Sequence, residues 1–161
     1  MNWPTQHDLP TATCERCVVL LNLQLADALD LALQAKQAHW NVKGPHFGSL
    51  HALFDEVAET LGEQADDLAE RCVQLGGVAR GTVGAIAAAT RLSAYPENIL
   101  AGADHVRALA AALGEFARTT RAGIDTATEV GDADTADLFT QVSRAVDKLR
   151  WQVEVHALPL P

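Results

Sequence analysis

The segment from Ser49 to Leu75 repeats apolar and ionisable residues with the period of an α-helix. At about 100° per residue, eight apolar side chains fall within one arc of roughly 120°. These are Leu50, Leu53, Phe54, Val57, Leu61, Leu68, Cys72 and Leu75. The ionisable side chains on the opposite side are His51, Asp55, Asp66 and Glu70, with Glu56, Glu59 and Glu63 beside them. The apolar arc must face the protein core, so the residues that could bind a metal ion face away from it.

The spacing of the ionisable residues divides them into two pairs. His51 and Asp55 are one turn apart, and so are Asp66 and Glu70, which lets the members of each pair converge on one ion. The midpoints of the two pairs are separated by about 22 Å of helix rise. No single ion can bridge that distance within one helix.

A two-fold axis near Thr60–Leu61 would bring the pairs of two copies together. If the helix lay antiparallel on its copy, His51 and Asp55 would meet the carboxylate pair of the second chain, giving two sites per dimer. The alternative interpretation is an ordinary amphipathic helix whose polar face is solvated. Two histidines among the carboxylates and the mirror-related spacing favour the metal site between subunits.

The remaining sequence predicts an all-α protein. A length of 161 residues suits one domain, and the 48% hydrophobic composition is dominated by Ala and Leu, which favour helices. We predict an irregular tail over 1–13, a four-helix bundle over 14–157 and a short tail over 158–161. Long helices are expected at about 13–41, 49–75, 96–130 and 132–156, with one short helix in the connection between the second and the third.

Glycine, proline and aspartate mark the predicted helix ends. The Gly76–Gly77 pair is a credible end for the second helix. Pro96 is expected to open the third helix, and Gly131 to end it. Asp132 or Asp134 can cap the fourth helix.

Composition also restricts the partners of the chain. The formal net charge is −9, so the average surface should repel nucleic acid and attract cations. We identify neither a signal peptide nor an apolar run of about eighteen residues that could span a membrane, and expect a cytoplasmic protein with no membrane partner. The three cysteines do not suggest a disulfide framework. Cys14 and Cys17 are interpreted as incidental thiols rather than as half a zinc site or a redox pair.

Three sequence blocks resemble the Dps family (DNA-binding protein from starved cells), the miniferritins of the ferritin-like superfamily. The blocks are KQAHWNVKGPHFGSLHALFDE, DDLAERCVQLGG and DADTADLFTQVSRAVDKLRW. The resemblance, from about Val18 to Glu154, implies a ferritin-like bundle that assembles into a hollow dodecamer with ferroxidase centres at the dimer two-folds. The positions that match the family's ligands are His39, His51, Asp55, Asp66 and Glu70. His39 is placed by the resemblance alone.

The resemblance implies roles for further acidic residues. Around the start of the last helix, family members carry carboxylates that line pores through which iron enters. The matching residues here are Asp132, Asp134 and Asp137. Helix capping is the simpler interpretation, and both roles can hold. Glu56, Glu59 and Glu63 match positions that nucleate mineral on the inner wall.

The aromatic and histidine residues outside the ligand set have simpler interpretations. Trp40 is most simply a core aromatic. Its position also matches a family tryptophan near the metal centre, which implies that it could act as an electron donor there. The other histidines are interpreted as surface or packing residues; they are His7, His46, His105 and His156.

The ligand types favour iron chemistry. Carboxylates and imidazoles suit Fe(II), Mn(II) or Zn(II), and no convergent thiolates indicate a structural zinc site. Two adjacent metal ions can give two electrons to one peroxide without releasing hydroxyl radical. Together with this chemistry, the resemblance implies a ferroxidase that oxidises Fe(II), preferably with hydrogen peroxide over O₂, and stores ferric mineral, protecting against oxidative damage. An ordinary ferritin site within one bundle is disfavoured, because none of the six histidines completes a Glu-x-x-His motif.

The alternative function is compaction of nucleoid DNA with little ferroxidase activity. Some family members bind DNA through tails rich in Lys and Arg, whose cations contact the phosphates. The first fifteen residues contain neither Lys nor Arg, and the same is true after Arg150. Direct DNA binding is therefore not expected.

Overall fold

A computed structural model describes residues 4–157. Its helices lie close to the predicted positions, except at the start of the third long helix. The helices are α1 (Thr11–Asn41), α2 (Phe47–Gln74), α3 (Val83–Ala89), α4 (Gly102–Glu129) and α5 (Ala133–Glu154), followed by a 3₁₀ turn at Val155–Ala157. Among these residues there is no strand, and a single bridge pairs Lys43 with Ala101. The all-α class is confirmed. The predicted tail residues 1–3 and 158–161 lie outside the described range.

The bundle consists of two helical hairpins. α1 packs mainly against α2, and α4 packs mainly against α5. α1 also contacts α4, and α2 contacts α5, so the two hairpins enclose one core. Its largest fully buried side chains include Phe54, Phe116, Phe139, Leu21, Leu31, Leu61, Leu68, Leu109 and Leu113. The long connection from α2 to α4 carries α3, which lies against α1.

α2 and α4 end in the same glycine motif. Gly76 and Gly131 adopt φ values of 81° and 84°, a left-handed conformation that costs glycine little. After α2, the Gly77 amide donates to the Cys72 carbonyl at 3.0 Å. This pattern satisfies carbonyls that the helix leaves unpaired. Both predicted glycine ends are confirmed.

The third long helix begins at Gly102, so the predicted start at Pro96 is wrong. The chain before Gly102 does not turn into a helix, because it pairs with the turn between α1 and α2. The Lys43 amide donates to the Leu100 carbonyl at 2.9 Å, and Lys43 also bridges to Ala101. A proline signal read from local sequence could not anticipate this contact with a distant segment.

A buried carboxylate on α1 holds the connection in place. Asp27 is fully buried and accepts hydrogen bonds from the backbone amide of Arg91 at 2.7 Å and from its guanidinium at 2.6 Å. One turn further along α1, Asp30 accepts a hydrogen bond from the Thr90 hydroxyl at 2.6 Å. The connection is therefore fastened to the bundle by charge-assisted hydrogen bonds.

α1 differs from the sequence expectation in two respects. It begins at Thr11, directly after Pro10, rather than at about residue 13. It is also long and apolar enough to cross a membrane by length and composition alone, which corrects the expectation that no such run exists. Half of its most apolar stretch is buried inside the bundle, as in a core helix of a helical protein.

Candidate metal centre

The hairpin of α1 and α2 brings two histidines into direct contact. The rings of His39 and His51 stack with centroids 3.7 Å apart and planes inclined by 21°. Each Nδ1–H donates to the backbone carbonyl of the other residue, at 2.7 Å from His39 and 2.8 Å from His51. With the proton of the neutral imidazole on Nδ1, Nε2 is the ring nitrogen whose lone pair can bind a metal ion. A backbone carbonyl on one ring nitrogen is a common means of orienting a metal-binding imidazole.

Asp55 lies beside these two rings on α2. Its Oδ1 is 3.9 Å from His39 Nδ1 and accepts a hydrogen bond from the ammonium group of Lys36. This hydrogen bond holds the pKa of the Asp55 carboxyl below its usual value, against the opposing effect of burial. Lys36 was not identified in the sequence analysis. Lys36 lies three residues before His39, on the same face of α1, and this spacing could have indicated a cation beside the candidate ligands.

The second pair of predicted ligands lies elsewhere on the same chain. Asp66 and Glu70 are exposed on α2, and neither forms a hydrogen bond or an ion pair through its side chain within residues 4–157. Over the same range, no three residues among His, Cys, Asp and Glu are arranged to hold a metal ion. The described chain thus brings together His39, His51 and Asp55 but leaves the carboxylate pair apart from them.

Asp132 is a structural residue in this fold. It is 1% exposed, and its carboxylate forms an ion pair with Arg71 Nη2 at 2.8 Å. It also accepts a hydrogen bond from the Thr135 amide at 3.0 Å, which confirms it as the cap of α5. Arg71 and Thr135 enclose its carboxylate, and the pore role of Asp132 stays a prediction.

The other acidic residues assigned by resemblance are at the surface. Asp134 has a side chain 83% exposed, and Asp137 is exposed one turn further along α5. For these two residues the pore role likewise stays a prediction. Glu56, Glu59 and Glu63 are also exposed, on the same helix as the candidate ligands, and their role in mineral nucleation likewise stays a prediction.

Apolar side chains near the histidines are uncovered in the single chain. Trp40 is 66% exposed, so the interpretation of Trp40 as a core aromatic is wrong. Leu33, two turns before it on α1, is 57% exposed, and Phe47 is 49% exposed although its ring stacks on His51 at 5.0 Å. Exposed apolar side chains grouped around a polar site are typical of a surface that another protein covers.

The remaining histidines and cysteines lie outside this centre. His105 is 1% exposed, which confirms it as a packing residue, whereas His46 and His156 are exposed. Cys14 and Cys17 are free and buried. Burial, with the nearby Asp132 carboxylate, raises the pKa of the Cys17 thiol to about 11. A thiol with such a pKa is a poor metal ligand at neutral pH.

Comparisons with known proteins cover nearly the whole chain. A family model described as Ferritin-like domain matches residues 18–157. The chain is 45% identical over 152 residues to the DNA protection during starvation protein of Agrobacterium fabrum, covering 94% of each chain. DpsC from Streptomyces coelicolor superposes with a TM-score of 0.95 at 28% identity, covering 100% of this chain and 94% of that one. Mycobacterium smegmatis Dps in its tetragonal form superposes with a TM-score of 0.91 at 30% identity, covering 97% and 94%.

Proposed function

Because this chain belongs to the Dps family of ferritin-like proteins, we propose that it is a miniferritin that oxidises and stores iron. The observation that carries the proposal is the reciprocal hydrogen bonding of His39 and His51. It leaves two Nε2 lone pairs available on neighbouring imidazoles, and the Asp55 carboxylate lies 3.9 Å from His39 Nδ1. Two imidazoles and a carboxylate form a donor set that suits Fe(II), and Zn(II) would compete for it.

The site is proposed to be completed by a second copy of the chain. The single chain leaves Asp66 and Glu70 exposed without side-chain partners among the described residues. An antiparallel two-fold contact of α2 would bring them to the histidines of the other copy. The same contact would cover Trp40 and Leu33, whose exposure has no function in an isolated chain. Six such dimers closing into a dodecamer would provide twelve centres and an enclosed space for mineral.

Lys36 is proposed to keep the empty centre electrically balanced. Its ammonium group is bonded to the Asp55 carboxylate, where Fe(II) would bind. When Fe(II) binds, it displaces the Lys36 ammonium group from Asp55, so the Asp55 carboxylate has a positively charged partner both before and after binding. The carboxylate is ionised at neutral pH before iron arrives, and Lys36, by lowering the pKa, keeps it ionised in more acidic solution as well. No proton therefore has to leave Asp55 when the metal substrate binds.

The proposed reaction uses two Fe(II) ions and one hydrogen peroxide. Each iron gives one electron, the O–O bond breaks, and two protons complete two water molecules. Fe(III) then moves into the cage, where Glu56, Glu59 and Glu63 are candidates for nucleating the mineral. Asp134 and Asp137 are the candidate residues for the pore through which iron enters. DNA is not assigned as a partner, because a net charge of −9 repels phosphates.

Mixing two inactive variants tests whether the centre lies between subunits. His51→Ala/Asp55→Ala lacks one half of the centre, and Asp66→Ala/Glu70→Ala lacks the other half. Each variant alone should oxidise Fe(II) hardly faster than a protein-free solution. Refolding them together as an equal mixture makes about half of the dimers mixed, and each mixed dimer has one intact site of two. Roughly a quarter of the wild-type rate should therefore return, measured by ferric absorbance after peroxide is added.

A matched control separates loss of ligands from loss of surface charge. Asp125 and Glu129 repeat the same residue types at the same spacing on α4, and both are exposed. Asp125→Ala/Glu129→Ala should oxidise iron at the wild-type rate. If the mixture of the two half-site variants is no more active than the average of its components, the site between subunits is rejected. If Asp66→Ala/Glu70→Ala alone is fully active, the site lies elsewhere.

A further inference from the structure

The chain contains a single tyrosine, and it is hydrogen-bonded to a buried histidine. Tyr95 precedes α4 in the long connection, and its hydroxyl oxygen lies 2.6 Å from His105 Nδ1. His105 is 1% exposed on the first turn of α4. Its Nε2 is buried and has no hydrogen-bond partner among residues 4–157. Tyr95 is therefore the hydrogen-bond partner of the imidazole within the described chain.

Simple packing does not account for this pair. A buried ring nitrogen without a partner costs stability, and an apolar side chain of similar size would avoid that cost. Burial raises the pKa of the Tyr95 phenol far above its usual value. Burial also lowers the pKa of His105, although the nearby Asp104 carboxylate acts in the opposite direction. At neutral pH the phenol is thus protonated and the imidazole is neutral, so Tyr95 Oη–H donates to His105 Nδ1.

A series of rings leads from this pair towards the candidate metal centre. The Tyr95 and His105 rings have centroids 6.1 Å apart and planes inclined by 17°. The His105 and Phe54 rings have centroids 6.3 Å apart. Phe54 is the residue directly before Asp55 in α2. The phenol is therefore linked to a candidate ligand through two ring contacts and one peptide unit.

We propose that Tyr95 is an electron donor to the metal centre and that His105 Nδ1 accepts its phenolic proton. The inference rests on the proposed ferroxidase function, and it concerns a centre that holds one Fe(II) instead of two. A single Fe(II) gives peroxide one electron, which breaks the O–O bond and leaves hydroxide and a hydroxyl-radical oxidant. Tyr95 supplies the second electron, which reduces that oxidant to hydroxide. The proton crosses the hydrogen bond to His105 Nδ1, whose nitrogen lies 2.6 Å from the phenol oxygen, leaving a neutral phenoxyl radical and an imidazolium.

The position of the proton acceptor explains why a buried phenol can serve this purpose. Oxidation of a phenol without proton loss would create a radical cation, whose charge is costly away from water. With His105 Nδ1 already in place, the electron and the proton can leave together. The positive charge then resides on the imidazolium near Asp104, which stabilises it. Damage is thereby confined to a residue that can be reduced again.

Rapid-freeze electron paramagnetic resonance of the assembled protein tests the proposal. The protein is loaded with about one Fe(II) per centre, mixed with hydrogen peroxide and frozen within milliseconds, and ferric absorbance is followed in parallel. A tyrosyl radical signal is expected, and ring-deuterated tyrosine should collapse its hyperfine splitting. Because Tyr95 is the only tyrosine, this change assigns the signal without further mutation. Tyr95→Phe should lose the signal completely.

Variants of the histidine test the role of the proton acceptor. His105→Leu should lose the signal or yield a radical with the larger g-value of a phenoxyl oxygen that has no hydrogen bond. His46→Gln, at an exposed position, is the matched control and should keep the wild-type signal. Circular dichroism verifies that each variant is folded, and isotope labelling of the wild type needs no variant at all.

The outcomes separate the inference from the function on which it rests. If the wild type oxidises iron but gives no tyrosyl signal, or gives only a tryptophan radical, the inference is overturned and the ferroxidase proposal stands. If the wild type does not oxidise iron, both are overturned. An unchanged tyrosyl signal in His105→Leu would overturn the assignment of His105 as the proton acceptor.

Discussion

Replacement of Asp132 by Ala is expected to destabilise the fold strongly, because the carboxylate lies at the centre of a buried network. Arg71 Nη2 binds Asp132 at 2.8 Å, and Arg71 Nε donates to the Thr135 hydroxyl at 3.0 Å. The side chains of Arg71 and Asp132 are 10% and 2% exposed. The network joins the last turn of α2 to the first turn of α5, and it leaves little room for water.

The loss in the free energy of unfolding depends on which interactions each substitution removes and which polar groups it leaves unpaired. Asp132→Ala removes the cap of α5, about 1 kcal/mol, and strands the Arg71 guanidinium, for which about 3–5 kcal/mol is typical. Since the two losses overlap, a total of about 4 kcal/mol is expected. Asp132→Asn keeps the cap and a neutral acceptor, so about 2 kcal/mol is expected. Asp134→Ala is the control; its side chain is 83% exposed and lies 4.0 Å from Arg71 Nη1, so about 0.5 kcal/mol is expected from the lost helix-dipole interaction and the exposed ion pair.

The contribution of Asp132 should also depend on pH. Burial alone would raise the pKa of Asp132, but hydrogen bonds from Thr135 and Arg71 outweigh burial and hold the pKa below its usual value. A carboxyl whose pKa is lower in the folded state stabilises the fold above the unfolded-state pKa of about 3.9. That stabilisation is lost as the pH falls from there through the folded-state pKa. The difference between wild type and Asp132→Asn should therefore be constant near pH 7 and shrink below about pH 4.

Urea unfolding followed by circular dichroism measures these free energies. The subunit concentration must be held fixed, because assembly contributes to apparent stability. Repeating the titrations from pH 7 down to about 3 tests the acid behaviour. The reasoning is refuted if Asp132→Ala is within about 0.5 kcal/mol of Asp134→Ala. A wild-type advantage over Asp132→Asn that grows in acid would show that the pKa shift has the opposite sign.

Three further predictions concern other residues of the same structure. A Cβ at Gly123 would lie 2.7 Å from the Phe139 ring, so Gly123→Ala should cost about 1–3 kcal/mol in the same urea assay. At Gly114, also in α4, nothing lies within 4 Å of such a Cβ, so Gly114→Ala should instead stabilise by up to about 1 kcal/mol. Lys36→Met removes the ammonium from Asp55 and should tighten Zn(II) binding in calorimetry; weaker binding would mean that Lys36 assists the metal.

The helices were predictable because their signals are local. The apolar arc of α2 identifies the residues that the structure buries, such as Phe54 and Leu61. The end of α2 requires a residue that adopts the left-handed backbone conformation, and glycine does so at little cost wherever it stands. The start of α4 was not predictable, since the contact of Lys43 with Leu100 joins segments far apart in sequence.

The sequence indicated which residues could form the candidate centre, but it did not indicate how their side chains contact one another. Helical spacing brought His51 and Asp55 together, because one turn of a helix is a local quantity. The reciprocal hydrogen bonds of His39 and His51 arise only when α1 folds back on α2. The burial of Asp132 likewise depends on Arg71, which is 61 residues away in the chain. Side chains whose role is set by a partner on another helix cannot be assigned from spacing alone.

The division of α2 into two faces separates folding from chemistry. Phe54, Leu61 and Leu68 are fully buried and stabilise the bundle, whereas Asp66 and Glu70 are exposed and contribute nothing to its core. Loss of the carboxylates should therefore leave a folded protein, while loss of a buried leucine removes about 2–5 kcal/mol. A subunit built in this way can fold before it carries a complete site. If the centre requires two copies, oxidation of iron begins only after the chains have assembled, when the product can be enclosed.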